Sequence, residues 1–378
     1  MANKSIKYRA YPTEEQKVMF ARTFGCCRKV YNLMLEDKIE GYKATGKFPY
    51  VTPARYKDIY PYLKEVDSLA LANKQLDLQK AFHNCFSKSR KSRNNFPKFK
   101  SSKRSRRSYT TNNQNGTVAI KENSIRLPKI GFVKAVIHRS PEEDWKLKSA
   151  TVSQESDGKY YISVLFEYDT MPSDYVINVA NAIGLDYASD GLYVDSNGNK
   201  GSNHKYYRES HAKLSKEQRK LSRKIGSKKG SVKSQNYIKQ MLKVNRIYRH
   251  IANQRKDNLH KLSAEIANQY DVVCAENLNM RSMSNHGFGN GKTTLDNGYG
   301  MFLNMLEYKL SDRGKSLVKV DKWYPSSQIC HNCGKKHPEM KDLKIRFMDC
   351  DCGYHISRDQ NAAMNILDEG IRMLKQSA

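Results

Sequence analysis

The apolar positions change rhythm several times along the chain. Ile6 to Tyr11 alternate and predict a short strand. Pro12-Thr13 then opens a helix, with Thr13 suited to the N-cap and Gln16 completing a capping box. Phe20, Phe24, Cys27, Tyr31 and Met34 follow at steps of four and three, one helical face. A second helical pattern covers Ser68 to Phe86, so a small bundle is expected from about residue 12 to 86. The Ser/Lys/Arg stretch behind it lacks apolar periodicity and reads as a loop or an arm that orders on binding.

From about Thr117 to Asp169 the alternation is that of strands: Val118–Ile120, Ser124–Leu127, Val133–Ile137, Lys148–Val152 and Tyr160–Leu165. Asp157-Gly158 between the last two is a hairpin signal. Short strands at this spacing predict a small barrel, with the N-terminal strand a candidate to complete it. Met171-Pro172-Ser173 reads as a boundary. Beyond it, Ala182–Tyr187 and Leu192–Asp195 read as antiparallel strands. A long basic segment then carries a helix with apolar positions Tyr237, Met241, Val244, Tyr248, Ile251, Leu259, Leu262 and Ile266, interrupted at Arg255. A buried strand Asp271–Glu276, a Gly/Asn-rich loop, a helix from about Tyr299 to Leu310, a strand Leu317–Val320 and a closing helix from about Asp359 complete an α/β pattern.

Charge sharpens the picture. The 378 residues carry a net +29, of which Ser87–Arg107 and Lys205–Lys256 hold +25. Such concentration suits a phosphate backbone, whose binding releases counterions. Phe96, Phe99, Tyr109, Tyr206, Tyr207, Tyr237 and Tyr248 lie among the charges, where rings can stack on bases. Candidate contacts are Arg90, Lys98, Lys100, Arg104, Arg107, Arg219, Arg223, Lys228, Arg246 and Arg249. No stretch approaches the ~18 apolar residues of a membrane span, and the N-terminus lacks a signal-peptide core. The expected setting is therefore the cytoplasm, close to the nucleoid, with no membrane partner.

Cys26, Cys27, Cys85 and Cys274 fall in apolar patterns and read as buried, reduced thiols. Cys330-His331-Asn332-Cys333 and Cys350-Asp351-Cys352-Gly353 differ: paired thiolates on short loops predict a closed, structural Zn²⁺ ribbon. The second pair is C-x-C, so His331, His337 or His355 are alternatives if that knuckle is too tight. Three acids also stand out. Asp186 and Glu276 lie in apolar strands, costly positions for carboxylates unless paired or metal-bound. Asp359 opens a helix. The three could converge on two Mg²⁺ ions about 4 Å apart and hydrolyse phosphodiesters. Taken singly, each has a plainer reading: a helix N-terminal charge for Asp359, and partners of Lys or Arg for the other two.

Gly184-Leu185-Asp186, Cys274-Ala275-Glu276-Asn277-Leu278, Pro325-Ser326-Ser327-Gln328 with the first cysteine pair, and Arg358-Asp359-x-Asn361-Ala362-Ala363-x-Asn365 occur in that order. Together with Tyr11-Pro12-Thr13-x-x-Gln16, Phe24–Asn32 and Phe96-Pro97-x-Phe99-Lys100, the set closely resembles the TnpB (OrfB) family of transposon-encoded proteins, relatives of type V CRISPR effectors. The resemblance spans essentially the whole chain and implies an α+β multidomain protein. Residues 1–11 and 105–172 would form a wedge β-barrel, interrupted by a helical recognition domain at 12–104. Residues 173–325 and 354–378 would form an RNase H-like (RuvC) nuclease domain, with a zinc ribbon inserted at 326–353. It further implies an RNA-guided DNA endonuclease with Asp186, Glu276 and Asp359 as its metal-binding acids. The guide would come from the transposon end, one RNA to a monomer, and double-stranded DNA would be cut beside a short flanking motif. Asn73 and Lys74, on the polar side of their helix, are candidates to read that motif. The C-x-C pair, and Ser357 where an Asp often precedes the Arg, depart from the commonest pattern. A non-cutting guided repressor or zinc-ribbon regulator is the alternative. A strand-joining transposase is disfavoured, since no His-hydrophobe-His pair accompanies a helical Tyr nucleophile.

Overall fold

The computed structural model describes residues 2–87, 96–169, 175–202, 204–225, 233–285 and 291–377. Arg90 and Lys228, two candidate contacts, lie outside them. Two compact units divide the chain between Met171 and Pro172.

In the first unit, strand β1 (Ala2–Tyr11) leads into helix α1 (Glu14–Thr45). The capping box forms: Thr13 Oγ1 accepts from the Gln16 amide at 3.3 Å, and Gln16 Oε1 accepts from the Thr13 amide at 3.1 Å. Helix α2 (Ser68–Phe86) starts at Asp67, whose carboxylate accepts from the amides of Leu69 and Ala70. Phe20, Phe24, Cys27, Tyr31 and Met34 share a buried cluster with Ala70, Leu71 and Leu78.

The strands are β2 (Arg107–Asn112), β3 (Ala119–Lys121), β4 (Ser124–Leu127), β5 (Gly131–Val136), β6 (Lys146–Gln154) and β7 (Tyr160–Tyr168). With β1 they form one antiparallel sheet in the order β2-β6-β7-β1-β5-β4-β3. Two expectations need correction. The N-terminal strand does not close a barrel but lies in the middle of the sheet, paired with β7 from Ala2 to Ala10 and with β5 from Arg9 to Tyr11. No ladder joins β2 to β3 among the described residues, so backbone pairing leaves the sheet open. Second, the sheet gains a strand that the alternation from Thr117 onward does not include: β2 begins at Arg107, the last residue of the basic stretch, and buries Tyr109 and Thr111 at a period of two. The Asp157-Gly158 turn joins β6 to β7, with Gly158 at a left-handed φ of 85°.

In the second unit β8 (Ala182–Tyr187), β10 (Val272–Glu276) and β11 (Ser316–Val320) run parallel, and β9 (Tyr193–Asp195) adds an antiparallel edge, in the order β11-β10-β8-β9. The long basic segment holds two helices rather than one, α3 (Tyr206–Ser222) and α4 (Gln235–Gln269). Helices α5 (Met280–Met283), α6 (Gly291–Asn297) and α7 (Tyr299–Ser311) follow β10. A two-stranded ribbon, β12 (Phe347–Asp349) and β13 (His355–Ser357), precedes α8 (Arg358–Ser377).

Strand alternation assigns the two faces of this sheet. Ile183, Leu185, Val273 and Ala275 pack with Leu259 and Ile266 of α4 and Phe302, Leu306 and Leu310 of α7. Val272, Cys274 and Val320 pack with Ile366 of α8. That second contact is very close. A Cβ on Gly184 would stand 2.0 Å from the Ala363 carbonyl oxygen, and one on Gly370 would stand 2.3 Å from Cys274 Sγ. The break in the α4 stripe is explained too: Arg255 pairs with buried Asp296 at 2.9 Å.

Candidate active site and zinc centre

Register brings two of the acids together. Leu185 on β8 pairs with Ala275 on β10, so Asp186 and Glu276 come next, side by side at the carboxyl ends of neighbouring parallel strands. Such strands lie about 4.8 Å apart. Asp186 shares a face with Gly184, and Glu276 shares one with Cys274, the positions that meet α8. Asp359 is the second residue of that helix. All three residues are half-buried.

Their electrostatics reflect this crowding. Burial, then the negative charges of Glu276 and Asp359, hold the Asp186 carboxyl well above the usual carboxylate range; nearby Arg358 offsets them in part. Burial lifts Glu276 to about 7. The three carboxylates do not offer one oxygen each within 4.8 Å of the other two; among the described residues the cysteine quartet alone brings its ligand atoms that close. Asp186 is instead the centre that feels both other acids. Tyr299, at the start of α7, completes the wall. It is fully buried, its ring lies 5.0 Å from that of Tyr187, and its hydroxyl has no hydrogen-bond partner. Burial raises that hydroxyl far above its ordinary range, and Asp186 and Glu276 add to the rise.

The cysteine cluster is built from two tight turns. Gly334 and Gly353, at φ of 75° and 83°, let their amides donate back to the carbonyls of Cys330 and Cys350 at 2.9 Å each. Cys330 and Cys352 sulfurs lie 3.7 Å apart, those of Cys333 and Cys350 3.5 Å apart, and all four within 4.8 Å. A tetrahedron of Zn–S bonds of about 2.3 Å needs sulfurs about 3.8 Å apart, so the quartet fits zinc. The Asn332 amide, donating to Cys352 Sγ at 3.5 Å, helps pull that thiol down to about 6. No histidine is needed as a substitute. His337 lies 3.3 Å from Cys350 Sγ, outside the quartet, while His331 faces Asn365 and Asp368, and His355 faces Asp349. Asn361 and Asn365, one turn apart on α8, fasten the ribbon: their amides donate to the Ile329 carbonyl at 2.7 Å each, and Asn361 Oδ1 accepts from the His331 amide.

The basic candidates divide. In the first unit Lys98, Arg104 and Arg107 are exposed, and Arg107 also donates to Gln154 at 2.8 Å. A cavity of about 280 Å³ is lined by Arg28, Lys74, Asp77, Lys100, Arg106 and Arg107. Asn73 and Lys74 do not sit on a free polar face. Asn73 donates to the Thr110 carbonyl at 3.0 Å, and Lys74 is buried and paired with Asp77 at 2.6 Å. Lys100 is held down by burial, then by the Lys74 charge, with its ammonium 3.6 Å from the centre of the Tyr31 ring. In the second unit Arg219 and Arg223 line an open depression on α3; Arg246 is exposed and Arg249 half-buried on α4.

Three family models match the chain: a "Helix-turn-helix domain" of the OrfB group over residues 1–47, a "Probable transposase" over 164–286 and a "Cas12f1-like, TNB domain" over 299–366. A "Putative RNA-guided DNA endonuclease" of Streptomyces pristinaespiralis is 34% identical, over 97% of this chain and 89% of that protein. The chain belongs to the TnpB (OrfB) family. Another relative, the "Putative RNA-guided DNA endonuclease InsQ" of Escherichia coli K12, is 30% identical to this TnpB chain over 98% of it and 93% of its own length. The fold is that of a Cas12f1 chain solved in a Cas12f1-sgRNA-target DNA complex. The TM-score is 0.59 at 14% identity, covering 97% of this chain and 98% of that one. No described helix is long and apolar enough to cross a membrane.

Two expectations follow for this TnpB. A carboxyl whose folded pKa is raised keeps its proton in the native state after the unfolded chain has lost it, so stability falls as pH rises between the two values. For Glu276 that window runs from about 4.5 to about 7. Glu276→Gln should therefore melt a few degrees higher than wild type at pH 8 without divalent ions, and alike at pH 4.5; equal melting at both pH values would contradict the assigned burial. For the ribbon, a zinc chelator or Cys330→Ser should lower the melting temperature clearly. An unchanged thermal transition would remove the metal from the quartet.

Proposed function

We propose that this TnpB is an RNA-guided DNA endonuclease whose Asp186, Glu276 and Asp359 hold two divalent ions. The observation that carries this reading is the raised, doubly crowded Asp186 carboxyl beside Glu276 at the strand ends and within the field of Asp359. Carboxylates so placed lose stability to repulsion and burial, and cations offset both. One acid central to two others suits a pair of ions better than one ion shared by all three. Mg²⁺ bound there supplies activation of water and stabilisation of the leaving oxygen. The chain's own residues do the rest: β8 and β10 fix two carboxylates on a rigid sheet, α8 delivers the third, and buried Tyr299 closes the inner wall against water.

The guide reading is supported by the names of the relatives and by charge. A protein that grips backbone shape through basic tracts can leave sequence reading to base pairing. The first unit, with its basic cavity, is assigned to the RNA scaffold and flanking motif, as the wedge and recognition regions; the second is assigned to RuvC-type cleavage with an inserted zinc ribbon. One monomer would use one RNA from the transposon end and cut the two DNA strands in succession.

Purified protein carrying its co-expressed RNA, given Mg²⁺ and a plasmid library with randomised flanks, should linearise a subset sharing one motif. Asp186→Ala should bind the same targets and lose cleavage by about 10³-fold or more. Binding without cutting by wild type would establish the guided-repressor reading instead, and undiminished cutting by Asp186→Ala would remove the metal-site assignment.

A further inference from the structure

One large aromatic side chain at the carboxyl end of the second unit's sheet lies outside the core. Val320 is the register partner of Glu276 on β11. Past it the chain turns through Asp321-Lys322-Trp323-Tyr324. Asp321 Oδ1 accepts from the Trp323 amide at 2.8 Å, and the Asp321 carbonyl accepts from the Tyr324 amide at 3.0 Å. Val320 and Tyr324, at either end of the turn, join the core beneath α8. Trp323 does not: it is 80% exposed, the most exposed large aromatic among the described residues. The turn is thus anchored on both sides and presents an indole to solvent.

Its surroundings favour an anionic, ring-bearing occupant. The Lys322 ammonium lies 4.5 Å from the indole centre, so a cation accompanies the ring. Trp323 lies three residue steps past Val320, the neighbour of Glu276, at most about 10 Å of extended chain. We propose that Trp323 is a stacking platform for an unpaired base of the DNA strand entering the site, with Lys322 facing the adjoining phosphate. The inference rests on the nuclease reading above. Every base offers a π-face, so the platform would hold a strand without reading its sequence. Base pairs within a duplex already have their faces covered, so the occupant is single-stranded.

The chain has two tryptophans, and the other, Trp145, is buried, so exposed-indole emission reports on Trp323. The test uses the full-length protein with its guide RNA, as the uncut Asp186→Ala form, titrated with a thymidine oligonucleotide unrelated to the guide. The emission should be quenched by the single strand and much less by a duplex. In that background Trp323→Ala should weaken oligonucleotide binding, read by anisotropy, by about 5- to 150-fold, matching ~1–3 kcal/mol per stacked base. Trp323→Phe should restore most of the affinity while abolishing the quench. Unchanged emission, equal quenching by duplex, or full affinity in Trp323→Ala would each overturn the proposal. Cleavage is absent from these measurements, so failure of the nuclease reading and failure of the platform are separable.

Discussion

A close approach of helix α8 to the sheet, made possible by two glycines, organises the second unit. Gly184 leaves room for the backbone of α8 at Ala363, and Gly370 leaves room for the Cys274 side chain. Ala362 and Ala363 are themselves fully buried. Because the approach is this close, the first turn of α8 lies near enough for Asp359 to act on Asp186. The same helix carries Asn361 and Asn365, whose amides hold the first cysteine turn to the domain through the Ile329 carbonyl. A single motif thus combines chemistry, close packing and fastening in successive positions. A larger residue at Gly184 would push against a backbone carbonyl, which cannot rotate away as a flexible side chain can.

The arrangement has a cost in the metal-free state. Two carboxyls are held where their charged forms are disfavoured, and the Tyr299 hydroxyl is buried without a partner. Uncompensated polar groups of this kind are usual at functional sites and unusual elsewhere. The cysteine quartet behaves oppositely. Its turns are closed by backbone hydrogen bonds, and four thiols so placed would fill a tetrahedral zinc shell and leave no position for a substrate.

Much of this was legible in the sequence where local physics decides. The Thr13–Gln16 box, the α2 span, the Asp157-Gly158 hairpin and the apolar strands that carry Asp186 and Glu276 all follow from short-range rules. Long-range pairing was not legible. Nothing in Ile6–Tyr11 distinguishes a central strand from a closing one, because both alternate alike. In β2, neighbouring arginines masked the period-two burial of Tyr109 and Thr111. Asn73 and Lys74 looked free because polarity suggests a wet face, yet their partners Thr110 and Asp77 draw them inward. Tyr299 was missed for a related reason: a tyrosine at a helix start reads as core. The fastening role of Asn361 and Asn365 had a signal, their spacing of four on one helical face.

The proposal that Asp186, Glu276 and Asp359 hold divalent ions is tested most directly by anomalous diffraction from crystals soaked in Mn²⁺. Two manganese peaks sharing Asp186, one also bound by Glu276 and the other by Asp359, are predicted, with both lost in Asp186→Ala. Manganese bound elsewhere while these three carboxylates stay bare would contradict it.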